Sequence, residues 1–124
     1  MLVALSVVAG LLISAAAGQA ANRRPVTITC PFLVEGVVKI TLPAKTGELP
    51  DIDFDYAAKA TLFSFRDGHL LLVAMDEEDP SRLRVVVSAQ LNKAKGTYDG
   101  QIVTDAGGNQ RMIDNGPVSC TVSP

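Results

Sequence analysis

Between Ala60 and Leu91 the chain repeats a single pattern, short apolar runs with period-two spacing cut by turn residues. An apolar side chain at every second position belongs to an extended strand with one buried side. In "ATLFSFRDGHLLLVAM" two such runs flank Asp67-Gly68, a pair suited to the two positive-φ positions of a type I′ hairpin turn. Both hairpin strands read as buried on much of both faces. "SRLRVVVSAQL" follows, with Leu83, Val85, Val87, Ala89 and Leu91 expected inward and Arg84 outward.

The same pattern extends to both sides. "PVTITC" reads as a first strand, broken at Pro31, and "GVVKITL" as a second with Val38, Ile40 and Leu42 on one face. "PAKTGELP" is a loop between prolines, "NKAKG" a turn, and "TYDGQIVT" a further strand. "DAGGNQ" and "DNG" read as turns that bracket a short "RMI" strand before the final "PVSCTV". No segment of the body repeats apolar residues at helical spacing, although "DIDFDYAAKA" has room for a helical turn or two. The expected fold class is therefore all-β, a small antiparallel meander of about seven or eight strands, since short turns pair each strand with the next. A barrel is favoured over a two-sheet sandwich. An immunoglobulin-type sandwich is disfavoured by the absence of tryptophan and by the wide separation of the cysteines.

Ahead of this body, "MLVALSVVAGLLISAAAGQAANRR" carries no charge before Arg23 and ends in small residues. That composition predicts a signal peptide over residues 1–20, cleaved after Ala20, and a single exported β domain over 21–124. An uncleaved anchor over Leu2 to Ala21 is the alternative, because the stretch is about as long as a bilayer span. The signal lacks a basic residue at its start. No lipid anchor is implied, because Cys30 follows Thr29 rather than a small residue. The predicted location is periplasmic or extracellular.

Two cysteines, Cys30 and Cys120, fall near the two ends of the exported part. An even pair in an oxidising compartment predicts one disulfide. It would join the first strand to the last, neighbours in a closing barrel. Closing a loop of about 90 residues stabilises a fold by roughly 4–5 kcal/mol in the chain-entropy description. No CxxC spacing and no nearby histidine suggests a metal pair.

Eleven basic against thirteen acidic residues leave the chain nearly neutral, so neither nucleic acid nor an anionic membrane surface is an expected partner. The acidic residues are the main candidates for chemistry. In "DIDFDY" a strand would carry Asp51, Asp53 and Asp55 on one side, roughly 6.5–7 Å apart, too widely spaced for all three to grip one cation. A calcium loop would curl instead, with Gly next and Glu six residues later; Tyr56 and Leu62 occupy those places. The stretch reads as a solvated strand edge or a short helical turn. "DEEDPSR" reads as a loop tip in which Asp79 caps a turn opened by Pro80 and Ser81. "DAGGNQ" lacks the following helix that a phosphate-binding loop requires.

His69 is the only histidine, and neither Ser64 nor Ser88 lies in a sequence resembling a nucleophile elbow. No catalytic residue, metal ligand or cofactor-binding residue is assigned, and no cofactor is expected. With no Trp and only Tyr56 and Tyr98, there is little to stack on a sugar. The expectation is an exported non-catalytic β scaffold binding a small apolar ligand or another envelope or extracellular protein. Two alternatives remain, a calcium-dependent or small acid-using enzyme built on the acidic loops, and a structural subunit of an envelope complex. No stable membrane insertion is expected once the signal is removed.

Overall fold

The computed structural model describes residues 25–32 and 36–124, so the expected leader lies outside the described residues. Eight strands follow one another: β1 (Thr27–Phe32), β2 (Gly36–Thr41), β3 (Asp51–Asp53), β4 (Ala58–Arg66), β5 (His69–Asp76), β6 (Leu83–Asn92), β7 (Thr97–Asp105) and β8 (Ile113–Ser123). They form one nearly closed antiparallel sheet in the order β3-β2-β1-β8-β7-β6-β5-β4, with no helix among the described residues. This is the expected all-β barrel-like meander. Asp67 and Gly68 both take positive φ, 54° and 76°, and turn β4 into β5 with Arg66 opposite His69.

The inward positions make the core. Ile28, Val38, Ile40, Leu70, Leu72, Val85, Val87 and Ile102 are buried together around the disulfide. Cys30 on β1 and Cys120 on β8 are bonded, with Cα atoms 4.3 Å apart. That pair is compatible with an oxidising, non-cytoplasmic location. Among the described residues no helix is long and apolar enough to cross a membrane.

The barrel wall is discontinuous in two places. β3 and β4 are consecutive in the chain but are not hydrogen-bonded neighbours, so β4 is an edge strand among the described residues. The second gap lies between β1 and β8. Their ladder pairs only Thr27 with Ser123, Ile28 with Val122 and Thr29 with Thr121. One step further brings Cys30 opposite Cys120, at the close spacing of a pair that exchanges no backbone hydrogen bonds. The next rung needs an N–H from residue 31, and Pro31 has none. β1 nevertheless continues along β2 to Phe32, with Pro31 opposite Val37. Pro31 thus ends one ladder without ending the strand, a correction to the break expected there.

Other corrections have equally local causes. Arg84 is buried rather than outward, because the β5–β6 register shifts between Ala74 and Met75: Ala74 faces Val85, Met75 faces Leu83, and Arg84 is the extra residue. A bulge of this kind redirects one side chain to the other face. β4 is not buried on both faces. After its own register shift between Ala60 and Leu62, Leu62 points outward and is 50% exposed, and Phe63 and Phe65 pack on the core. Leu91 reaches the barrel rim beside Gly68, whose carbonyl accepts its N–H, and is partly exposed. The expected "DNG" turn is strand: Asp114, Asn115 and Gly116 pair with Thr104, Val103 and Ile102 as part of β8.

Candidate functional site

Beyond the disulfide β1 and β8 part, and the gap between them forms a cleft. Its walls come from Phe32 at the end of β1, Ile102 and Thr104 on β7, and Asp114 to Pro117 on β8, enclosing about 310 Å³. A shallower concavity of about 500 Å³ shares Phe32 and Pro117 with it and includes Pro31, Lys95, Asp99 and Ser119. The two hollows therefore border one slot in the wall. The sequence places prolines on both lips. Pro117 pairs with Gln101 on the β7 side, and its nitrogen, like that of Pro31, falls on the unpaired side of its strand.

Phe32 is 4% exposed and stacks in a tilted arrangement on Phe54, with ring centroids 5.7 Å apart. It is pinned from behind, since a Cβ built at Gly36 would collide with its ring. Ile102 is 3% exposed, and Gly116 opens space rather than filling it, because a Cβ there meets nothing within 4 Å. Asp114 shares the inward side of β8 with Gly116, Val118 and Cys120, is half-buried, and takes part in no ion pair among the described residues. On the outer side, Asp99 accepts hydrogen bonds from Ser119 Oγ at 2.6 Å, Asn92 Nδ2 at 2.9 Å and Thr97 Oγ1 at 2.8 Å. Those donors, Ser119 first, hold its pKa down at about 2.

A second polar constellation binds the β5–β6 connection to the loop after β7. Asp105 is fully buried; its carboxylate receives Arg82 Nε at 2.8 Å and Nη2 at 3.1 Å, and the backbone N–H groups of Gly107 and Met112. The Arg82 bond leads in holding Asp105 well below the usual carboxylate range, and Asp105 in turn raises the Arg82 pKa. Arg84 donates through Nε to Asp76 at 2.7 Å and through Nη1 to the carbonyls of Asp105 and Gly107, both at 2.8 Å. Its guanidinium carbon lies 4.1 Å from the centre of the Tyr56 ring. Arg84 also leads in lowering the Asp76 pKa. No buried side-chain nitrogen or oxygen lacks a hydrogen-bond partner among the described residues. This cluster is a clamp: its donors are spent on carboxylates and loop carbonyls.

The sequence candidates fall as follows. Asp51 and Asp53 lie on the exposed side of β3 with Ile52 half-buried between them, and Asp55 is exposed in the bend that follows. The strand-edge reading of "DIDFDY" therefore describes β3, and no helical turn forms. Asp79 caps its turn as expected: Oδ1 accepts Ser81 N at 3.1 Å and Ser81 Oγ at 2.7 Å, which lowers its pKa. Asp76 does the same for the loop, accepting the N–H groups of Glu78 and Asp79. Among the described residues no group of three His, Cys, Asp or Glu side chains gathers for a metal ion. His69 is exposed at the hairpin turn, opposite Arg66 and Gln90. The glycine-rich "DAGGNQ" loop binds a guanidinium through the carbonyls of Gly107, Gly108 and Gln110.

Sequence reasoning missed the cleft because two of its linings, Asp114 and Gly116, stood in an apparent turn. The available signal was Pro117, which on a strand belongs at an unpaired edge. It missed the clamp because alternation alone cannot register a bulge; the signal was opposite charge in and beside neighbouring strands, Arg84 on β6 and Arg82 just before it against Asp76 on β5 and Asp105 on β7. Comparison with known protein families, curated proteins and solved structures finds no match for this chain.

Proposed function

We propose that this chain is an exported, non-catalytic β scaffold, working in the periplasm or outside the cell, that holds a small apolar ligand in the cleft between β1 and β8. The observation that carries the reading is the fork itself. A barrel this small ordinarily fills its interior with side chains, and here the wall parts beside Phe32 and Ile102 to leave about 310 Å³. That volume lies at the lower end of small-molecule sites, and its walls combine apolar side chains with a few polar groups, as such sites do. The disulfide at the apex and the satisfied clamp on the β5–β6 connection support a preformed site, which binds without a large ordering cost.

Gly116 offers a direct test. Gly116→Leu places a side chain in open space within the cleft. Titration with a neutral apolar fluorophore, Nile red, is expected to show saturable binding to the native chain and loss of it in the variant, with the melting temperature little changed. Unaltered binding by Gly116→Leu would place the ligand elsewhere and defeat the proposal.

A second reading is favoured by β4. Its outer edge has no hydrogen-bonded neighbour among the described residues, Leu62 on it is 50% exposed, and a groove of about 570 Å³ runs between Phe63–Arg66 and the loop Leu42–Leu49. Such an edge accepts an extended strand from another envelope or extracellular protein. Leu62→Lys would weaken that contact without touching the cleft.

A further inference from the structure

The cleft carries an electrostatic signature as well as a shape. Its lining contains one ionisable side chain, Asp114, and no basic residue among the described residues. Asp114 is half-buried, points to the same side of β8 as Gly116 and Val118, and is not claimed by any of the ion pairs that occupy Asp76 and Asp105. Of the surrounding cations among the described residues, Arg82 and Arg84 bind the clamp carboxylates, and Lys95, in the adjoining hollow, lies by Asp99, whose carboxylate it helps to keep charged. Arg111 lines a separate hollow with Ser81, Leu83 and Asp105. An unpaired carboxylate beside apolar walls favours a cation that brings its own apolar body. Phe32 lines the same space and supplies apolar surface for that body.

We propose that the ligand is a small hydrophobic cation, an aryl or alkyl ammonium whose apolar part lies against Phe32, Ile102 and Pro117 and whose charge is met by Asp114. The inference rests on the cleft being the binding site. Thr104, paired with Asp114 across the β7–β8 ladder, adds a neutral hydrogen-bonding group beside the ammonium and carries no opposing charge.

A matched pair of probes separates the two levels of this argument. 1-Naphthylmethylammonium and 1-naphthylmethanol share an apolar body and differ in charge at pH 7. Their affinities for the native chain, measured by calorimetry in low salt, are expected to differ by about tenfold in favour of the cation, the worth of one charge-assisted contact. Asp114→Asn is expected to bring the cation to the affinity of the alcohol and to leave the alcohol unchanged. Equal binding of both probes to the native chain would overturn the cation assignment while leaving an apolar site standing. Binding of neither would remove the cleft as a site and the inference with it. The comparison within the native chain does not depend on how the variant folds.

Discussion

Arg82 and Asp105 meet in a two-point contact, Nε to Oδ2 at 2.8 Å and Nη2 to Oδ1 at 3.1 Å, across 23 residues of sequence and at a fully buried carboxylate. The contact fixes two loops at once. Arg82 lies in the connection that enters β6, and Asp105 ends β7 and anchors the glycine-rich loop through Gly107 and Met112. Removing one member leaves the other's charge buried without its partner, and that loss exceeds anything the pair gains over an apolar substitute.

Asp105→Asn is therefore expected to cost about 3–5 kcal/mol at pH 7, read from urea unfolding. The pH dependence has a definite sign. Asp105 and Asp99 both titrate below their unfolded values, so their contribution is fully present above the unfolded aspartate pKa near 3.9 and is lost as pH falls. For Asp99 that loss runs from about pH 4 to its folded value of about 2, and for Asp105 it continues lower. The gap between native chain and Asp105→Asn should narrow steadily below pH 4. A gap that stays constant down to pH 2 would show that the carboxylate's charge is not what holds the loops.

The disulfide gives a prediction of similar size from a different cause. Cys30 and Cys120 close a loop of 90 residues between strands that share only three paired positions. Replacing both with alanine is expected to remove roughly 4–5 kcal/mol and to lower the melting temperature by at least about 15 °C. A change of only a few degrees would mean that the short β1–β8 ladder closes the barrel unaided.

The sequence made the strands legible because their alternation is strong: Val85, Val87 and Ala89 are buried on the side predicted for them, and Asp67-Gly68 turns as its residue types require. The neighbourhood of β1 and β8 was legible too, because two cysteines near the chain ends are most simply joined in a closed meander. What alternation cannot carry is an insertion of one residue. Arg84 followed the predicted parity until a bulge reversed it, and Leu62 turned outward for the same reason. The cleft was hidden because Asp114-Asn115-Gly116 has the composition of a turn, and eight consecutive pairings with β7 override that local preference.

Gly36 links packing to the cleft. A methyl group at this position would overlap the Phe32 ring, which also packs on Phe54. Gly36→Ala is expected to cost about 1–3 kcal/mol through overpacking and to push Phe32 into the cleft. Stability and Nile red affinity should fall together. A stability loss with unchanged affinity would place the probe away from Phe32.

Pro31 offers the sharpest test of why the cleft exists. It lies one residue past Cys30, where the β1–β8 ladder would otherwise continue, and its missing N–H faces β8. Pro31→Ala restores the donor and allows a bond to the carbonyl of Ser119, which lies opposite by continuation of the register. The new bond is worth about 0.5–1.5 kcal/mol, and losing proline's restriction of the unfolded chain costs about 0.4–1 kcal/mol. The net stability change is therefore small, and stability is the wrong readout. Hydrogen exchange is the right one: the amide of residue 31 should be protected nearly as well as those of the paired strand residues Ile28 and Thr29. As the lips at Phe32 and Pro117 draw together, affinity for an apolar probe should drop. If that amide exchanges as fast as an unstructured one and the probe binds as before, the parting of β1 from β8 is held by packing around Phe32 rather than by the absent donor.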